Sequence, residues 1–371
     1  MSRPCRVLHV LAALQRGGLE NWVAEIAIAA AQRDGVEVTI AHREPGPFPW
    51  TDALTAAGVR LVHVPGHPWP WRFAASMRHL LDEGYDAVHT HIGPFNGLVL
   101  RLADQVGVPV RISHVHCDEH ARERAVGWWR RPYHALMRRW IRRHANRTLG
   151  VSAIASASLH DPTSPLCRVF PLGIDLARFA APQTRERIRA ELGLAAEQRA
   201  ILAVGRLDAN KRQALLVAAL RDLPSTDVLL IAGDGELRQP LAAQAERAGV
   251  GERVRLLGQR EDVPRLLAAA DVFAQPSLAE GFGLSVLEAQ AAGLPIVASH
   301  GVPIEATPLL DRVLRVPLAA EAVDWAAALR GAFKRGRSEP NTNPLRLATL
   351  GHDRNAVVDS LVRIWGGAWP P

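Results

Sequence analysis

The amino-acid sequence predicts an α/β protein built from two doubly wound parallel sheets in succession. Three observations carry the prediction. Short apolar runs alternate with amphipathic helical stretches along most of the chain, the pattern that parallel strands and their crossover helices impose. The alternation lapses between residues 172 and 184, where Gly173 and Pro182 interrupt it, and then restarts. The chain has 371 residues, of which 48% are hydrophobic, enough to bury two cores.

Taken in order, the run 7–14 is the first expected strand, and Arg16, Gly17, Gly18, Leu19 and Glu20 form the loop after it. Strands are then expected at 36–41, 60–64, 87–90, 109–113 and 147–151, the last leading into Gly150-Val151-Ser152. After Leu172-Gly173-Ile174-Asp175 a second series follows at 200–204, 228–232, 254–257, 272–275 and 296–298. In sheets of this kind ligands bind beyond the carboxyl ends of the strands, so chemistry is expected in the loops that follow these runs.

The most informative segment begins where the run 271–276 ends. Glu280 and Glu288 stand eight positions apart around Gly281-Phe282-Gly283, and residues 284–292 have helical spacing that stops at Gly293, with Pro295 beyond. Glu280 therefore falls in a turn and Glu288 inside a helix. The amides of Phe282, Gly283 and Leu284 would face an anion, because first-turn amides lack intrahelical partners and carry the positive end of the helix dipole. Ser285 and Leu287, in the same turns, complete this expected donor-side set. Glu288 is placed to accept hydrogen bonds from a ribose diol, and Glu280 to face whatever hangs from the distal phosphate. The plain alternative is a helix with two solvated glutamates; the strand before it and the glycines between favour a sugar-nucleotide site.

This segment resembles the paired-glutamate motif of the family 4 retaining glycosyltransferases, whose fold, called GT-B, is two Rossmann-like domains facing across a cleft. The resemblance runs along nearly the whole chain: Gly17 and Gly18 match the family's Gly-Gly loop, Gly205-Arg206 and Lys211 its phosphate-binding residues, and 150–152, 172–175 and Ala232-Gly233-Asp234-Gly235-Glu236 follow in the same order. It implies an acceptor-binding domain at 1–172, a donor-binding domain at 173–352, and a last helix, within about 353–371, that packs back onto the first. It also implies metal independence. Arg206 as a fork and Lys211 as a point charge would stabilise the departing diphosphate as the anomeric carbon becomes oxocarbenium-like. No metal and no other cofactor is expected; the donor, a UDP-sugar by resemblance, is a substrate.

Two histidine pairs, His89 with His91 and His114 with His116, have the one-residue spacing that puts both rings on one face of a strand, which is also how two metal ligands can be presented. A zinc hydrolase is disfavoured because no third ligand has a recognisable spacing and the phosphate motifs would lack a purpose. In the family a histidine just past the fifth strand contacts the donor sugar. His116 aligns with it and His114 is the alternative. His89 and His91 are read as structural or acceptor-side, and Glu20, His114, Asp118, Glu119 and His120 as candidate acceptor contacts.

Net charge is +7 with histidine neutral, and its distribution is uneven. Between Arg122 and Arg143 lie Trp128, Trp129 and Trp140 among Arg138, Arg139 and Arg142, and tryptophan beside arginine is a membrane-interface pattern. Peripheral membrane contact through 122–143 is one expectation; a solvated basic helix over a core is the other. Without a helix-turn-helix, zinc-finger or RNA-binding motif, nucleic acid is not an expected partner. Trp50, Trp69 and Trp71 are read either as an aromatic acceptor platform or as packing. The run 7–14 is too short to span a bilayer, and Cys5, Cys117 and Cys167 have no metal-finger spacing, which suits a cytoplasmic protein, at the inner membrane face if the lipid contact holds.

The resulting expectation is a retaining, metal-independent glycosyltransferase that moves a sugar from a nucleotide sugar to a glycan or lipid-linked acceptor in bacterial polysaccharide or glycolipid synthesis. No residue stands out as a nucleophile, so front-face attack is favoured over double displacement. The alternatives are a sugar-nucleotide epimerase and a non-enzymatic sugar-nucleotide-binding protein of the same fold. A phosphorylase would carry pyridoxal phosphate, and a dehydrogenase is disfavoured because no Gly-x-Gly-x-x-Gly follows the first strand.

Overall fold

Apolar runs of four to seven residues become strands because a sheet covered by helices on both faces buries every side chain of a central strand. The computed structural model describes residues 3–65, 70–125, 127–180, 184–339 and 341–369. The chain forms two compact units, Met1–Gly173 with Arg354–Pro371, and Ile174–Asp353.

The first unit holds β1 (Cys5–Leu11), β2 (Val36–His42), β3 (Arg60–His63), β4 (Ala87–Thr90), β5 (Val110–Val115), β6 (Arg147–Gly150) and β7 (Cys167–Val169), in the order β3-β2-β1-β4-β5-β6-β7. All pairings are parallel. One face of the sheet buries Leu8, Val10 and Val88 against Phe73, Met77 and Val99. The helix Arg354–Trp365 belongs to this unit: Arg33 bonds Asp359 at 2.9 Å, and Trp365, 1% exposed, stands edge-on to His9 at 5.4 Å. Truncating so buried an indole costs about 3–5 kcal/mol, so this helix is an integral part of the unit.

The second unit holds β8 (Arg199–Val204), β9 (Asp227–Ala232), β10 (Val254–Gly258), β11 (Val272–Gln275), β12 (Ile296–Ser299) and β13 (Val313–Val316), again parallel, in the order β10-β9-β8-β11-β12-β13. Its core packs Ile201, Ile231 and Val272 with Leu241, Trp325 and Leu329. Each of the eleven expected apolar runs is a strand, although the first ends at Leu11 rather than at 14. Strands β7 and β13 were not anticipated. They are three- and four-residue edge strands, too short for a periodic signal, and Arg315 interrupts the second. In each sheet the strand order reverses at one place, between β1 and β4 and between β8 and β11, and ligands bind in such sheets beyond the strand ends at this switch point.

Candidate functional site

In the second unit the loops after β8, β9 and β11 converge at the switch point. Gly205 (φ +151°) and Gly233 (φ +141°) adopt backbone angles open to glycine, and a Cβ on Gly233 would lie 1.9 Å from the Gly205 carbonyl oxygen. The loops cross there in direct contact, and bonds from Gly205 N to Ala232 O and from Leu207 N to Asp234 O, both 3.0 Å, hold the crossing. Asn210 ties in the third loop: its side chain donates to Ala279 O at 2.9 Å and accepts from Ala279 N at 3.1 Å, while its carbonyl accepts from Leu278 N at 2.8 Å.

This clamp brings Lys211 and Glu280 together. Lys211 Nζ donates to Glu280 Oε1 at 2.5 Å, Ser277 Oγ donates to the same oxygen at 2.5 Å and Gln275 Nε2 at 2.8 Å. Oε2 is the oxygen these donors leave unengaged. The side chains of Lys211 and Glu280 are 19% and 11% exposed, and the ion pair is reinforced by the fixed donors of Ser277 and Gln275. Arg206 is not drawn into the cluster: it is exposed and makes no ion pair among the described residues, while its carbonyl accepts from Gln213 Nε2 at 2.9 Å.

After Glu280 the chain turns through buried Phe282 and left-handed Gly283 (φ +102°) into the helix Leu284–Ala291. Among the described residues the amides of Phe282, Gly283 and Leu284 donate to no other backbone group. Ser285 and Glu288 are half-buried on this helix and Leu287 is fully buried in the core. Leu287 therefore supports the site by packing. Buried Gln290 locks the helix in place by donating to Ala306 O at 2.7 Å and accepting from Leu309 N at 3.0 Å.

In the first unit, Gly17 caps the helix Gly18–Ala31, and a Cβ on it would lie 2.3 Å from a Glu20 carboxylate oxygen, so Glu20 folds back over the glycine loop. Trp22 of this helix stands edge-on to His114 at 5.5 Å and tilted to His116 at 5.7 Å, which gathers the glycine loop and both histidines at one end of the sheet. Asp118 is half-buried and accepts from His120 N at 2.9 Å. Glu119 departs from the acceptor-contact expectation. It is 4% exposed, accepts from Cys117 Sγ at 3.0 Å, and its own amide donates to Ser158 Oγ at 3.0 Å. Burial pushes the Cys117 thiol up to about 12, so it remains a protonated donor.

The histidines form one cluster. His9 on β1 lies in register with His89 on β4, a third position beside the two pairs that the spacing argument did not include. Nitrogens face each other between His9 Nδ1 and His91 Nε2 (3.0 Å), His91 Nδ1 and His116 Nε2 (2.9 Å), and His89 Nε2 and His114 Nδ1 (3.1 Å). Two triads, His9-His89-His91 and His91-His114-His116, have ligand nitrogens within 4.8 Å of one another and could hold a metal ion. The contacts at 2.9–3.1 Å are those of shared protons, shorter than the roughly 3.3 Å between nitrogens that each lie about 2.0–2.1 Å from one tetrahedral ion. Burial pulls His9 and His116 down to about 3 and His89, His91 and His114 well below the usual imidazole range, so all five rings are neutral at pH 7.

The basic stretch divides by side. In the helix Arg131–His144, Met137 and Ile141 face the core, and Arg138 turns inward to bond Glu123 at 2.6 Å and the Ser158 carbonyl, which removes it from the outward set. Trp140 is half-buried beneath Arg101, whose guanidinium lies 4.5 Å from its ring. Trp129 (64% exposed), Tyr133, Leu136, Arg139, Arg142 and Arg143 face outward. The Trp128 side chain and Trp69 lie outside the described residues; Trp71 is exposed, and Trp50 bonds Asn21 at 3.0 Å. Among the described residues no helix is long and apolar enough to cross a membrane.

Gln275, Ser277 and Asn210 were not singled out from sequence. The available signal was a pair of polar residues flanking Pro276 at the end of an apolar run, since buried polar groups need partners.

Residues 184–308 match the family model described as glycosyl transferases group 1, and residues 16–178 the model described as Glycosyltransferase Family 4. The chain is 29% identical over 371 residues to a putative glycosyltransferase, EpsF, of Bacillus subtilis (strain 168), covering 97% of this chain and 96% of that one. It is 28% identical over 323 residues to the Escherichia coli UDP-Gal:alpha-D-GlcNAc-diphosphoundecaprenol alpha-1,3-galactosyltransferase, covering 80% and 78%. Its fold matches the crystal structure of Anabaena Alr3699/HepE in complex with UDP and glucose, with a TM-score of 0.80 at 19% identity over 98% of this chain and 99% of that one.

Proposed function

The chain belongs to glycosyltransferase family 4, and we propose that it is a retaining, metal-independent enzyme that transfers a sugar from a UDP-sugar to a hydroxyl of a lipid-linked glycan acceptor. The observation that carries this reading is the convergence of Lys211, Ser277 and Gln275 on one oxygen of Glu280. Held in this way, the carboxylate offers its other oxygen to a sugar hydroxyl in one fixed orientation. The lysine ammonium has three N–H bonds, so it can keep Glu280 and still donate to a phosphate.

The donor's phosphates sit at the glycine crossing and the Phe282–Leu284 amides, with Glu288 on the ribose. The acceptor hydroxyl attacks the anomeric carbon on the face from which the diphosphate departs; the bond to the phosphate oxygen breaks, the bond to the acceptor oxygen forms, and the acceptor proton passes to the departing phosphate. Arg206 and Lys211 stabilise the charge growing on that phosphate, the work a divalent ion does in other transferases. Glu280, with His116 as the family motif implies, orients the sugar. The UDP and glucose bound to HepE and the diphosphoundecaprenol in the name of the E. coli relative support this choice of donor and acceptor class. The outward arginines and Trp129 suit a cytoplasmic enzyme that rests on an anionic membrane surface where such an acceptor waits, in polysaccharide or glycolipid synthesis.

A panel of nucleotide sugars in EDTA tests the proposal. A UDP-sugar should raise the melting temperature, because a ligand that binds only the folded state stabilises it, and should be turned over with an acceptor analogue to a product of unchanged anomeric configuration. Turnover only with added magnesium or manganese, inversion, or isomerisation of the donor alone would each refute it.

A further inference from the structure

The histidine cluster contains more polar atoms than the proposed chemistry uses, and its proton arrangement can be worked out from donors and acceptors. An indole N–H can only donate. Trp365 Nε1 lies 3.4 Å from His89 Nδ1, so that nitrogen is unprotonated and His89 carries its proton on Nε2. It donates to His114 Nδ1 at 3.1 Å, which places the His114 proton on Nε2. That nitrogen is buried without a hydrogen-bond partner, with the perpendicular Trp22 indole 5.5 Å away, so the Trp365 donor forces one orphan N–H on the cluster. His114 is fully buried and its Nδ1 is taken. Half-buried His116, whose Nε2 meets His91, keeps Nδ1 for a substrate.

His9, His91 and His116 form a second chain, and two directions are open to it. In one, His9 Nδ1–H donates to His91 Nε2, His91 Nδ1–H donates to His116 Nε2, and His116 presents Nδ1–H outward. In the other, all three protons shift and His9 carries Nε2–H into a buried position where that nitrogen has no partner. A buried N–H without an acceptor is a rarer defect than an unfilled acceptor, and the first direction avoids adding a second orphan N–H to the one forced on His114, so it is preferred. We propose that His9 and His91 are positioning residues that fix the tautomer of His116, so that its Nδ1 presents an N–H to an oxygen of the sugar donor. The proposal rests on the reading of His116 as a donor-sugar contact. It adds that the contact is made by a hydrogen-bond donor, set two rings away.

Two-bond 15N–1H correlation spectra of histidine-labelled protein read the tautomer without substrate. In the wild type His116 should carry its proton on Nδ1. His91→Leu should convert it to the Nε2–H form or a mixture and lower kcat/KM roughly three- to tenfold, the value of one neutral hydrogen bond. His91→Asn, whose amide can donate from the position of Nδ1, should restore both readouts, and His9→Phe, which keeps a ring against Trp365, should weaken the preference. A wild-type His116 protonated on Nε2, an unchanged His116 signal in a folded His91→Leu variant, or a stoichiometric metal in the purified protein would each overturn the proposal, since an ion shared by His91 and His116 excludes the proton between them. An intact tautomer pattern with no transfer from any nucleotide sugar would overturn the functional reading alone.

Discussion

Replacing Glu280 with glutamine keeps the side chain's shape and removes its charge. Its Oε1 accepts from Lys211, Ser277 and Gln275 at 2.5, 2.5 and 2.8 Å. A hydrogen bond to a charged group contributes about 1.5–3 kcal/mol and a neutral one about 0.5–1.5, so each of these weakens by about 1 kcal/mol and the set by about 3. Expressed in the orientation of the sugar at the transition state, that loss lowers kcat roughly 100-fold, since about 1.4 kcal/mol is tenfold. Nucleotide affinity moves the other way. Lys211 loses its anionic partner and is left to meet a phosphate, so the Kd for UDP should stay within about threefold of wild type or tighten. Steady-state transfer kinetics with calorimetry of UDP binding separates the two effects. A wild-type kcat, or a UDP affinity that falls in proportion to kcat, would refute the assignment of Glu280 to the sugar.

Gly233→Ala forces a Cβ to 1.9 Å from the Gly205 carbonyl at φ +141°, so the crossing must open; the variant should lose about 2–4 kcal/mol of stability, melt some 4–12 °C lower and bind UDP weakly, and wild-type melting in calorimetry would contradict the crossing. His9 and His160 are buried and neutral, each held down to about 3, so an unfolded chain takes up protons below its ordinary value of about 6.5 that the folded chain refuses. Their stabilising effect is therefore full above pH 6.5 and is lost as pH falls toward 3, by about 2 kcal/mol each at pH 5, and a melting temperature unchanged between pH 7 and pH 5 would argue against it. Charge reversal at Arg139 and Arg143 should reduce sedimentation with anionic vesicles, as should high salt, while turnover of a soluble acceptor analogue holds; equal binding by variant and wild type, or none by either, returns this face to a solvated helix.

What the sequence made legible follows from what each element must satisfy alone. A central parallel strand is buried on both faces, so β1 or β9 reads as an uninterrupted apolar run wherever it sits in the fold. The glutamate motif is likewise local: strand, glycines and helix start are consecutive. Ser277, Gln275 and Asn210 escaped notice because their roles exist only once the loops after β8 and β11 meet. His9 escaped because β1 and β4 are neighbours in space and far apart in sequence. Arg138 looked like its exposed neighbours until Glu123 and the Ser158 carbonyl supplied inward partners.

The two units put opposite electrostatics at the same place in their topology, and the residue types explain why each is stable. Lys211 and Glu280 pair as opposite charges, and the carboxylate also accepts from Ser277 and Gln275, which offsets the cost of partly burying the pair. A histidine is already mostly neutral at pH 7, so five imidazoles can be buried with no counter-charge, provided their nitrogens face one another. Lysine at position 91 could not substitute there. Its ammonium would need a carboxylate that the cluster does not offer, whereas asparagine could retain the hydrogen bond to His116 without introducing charge.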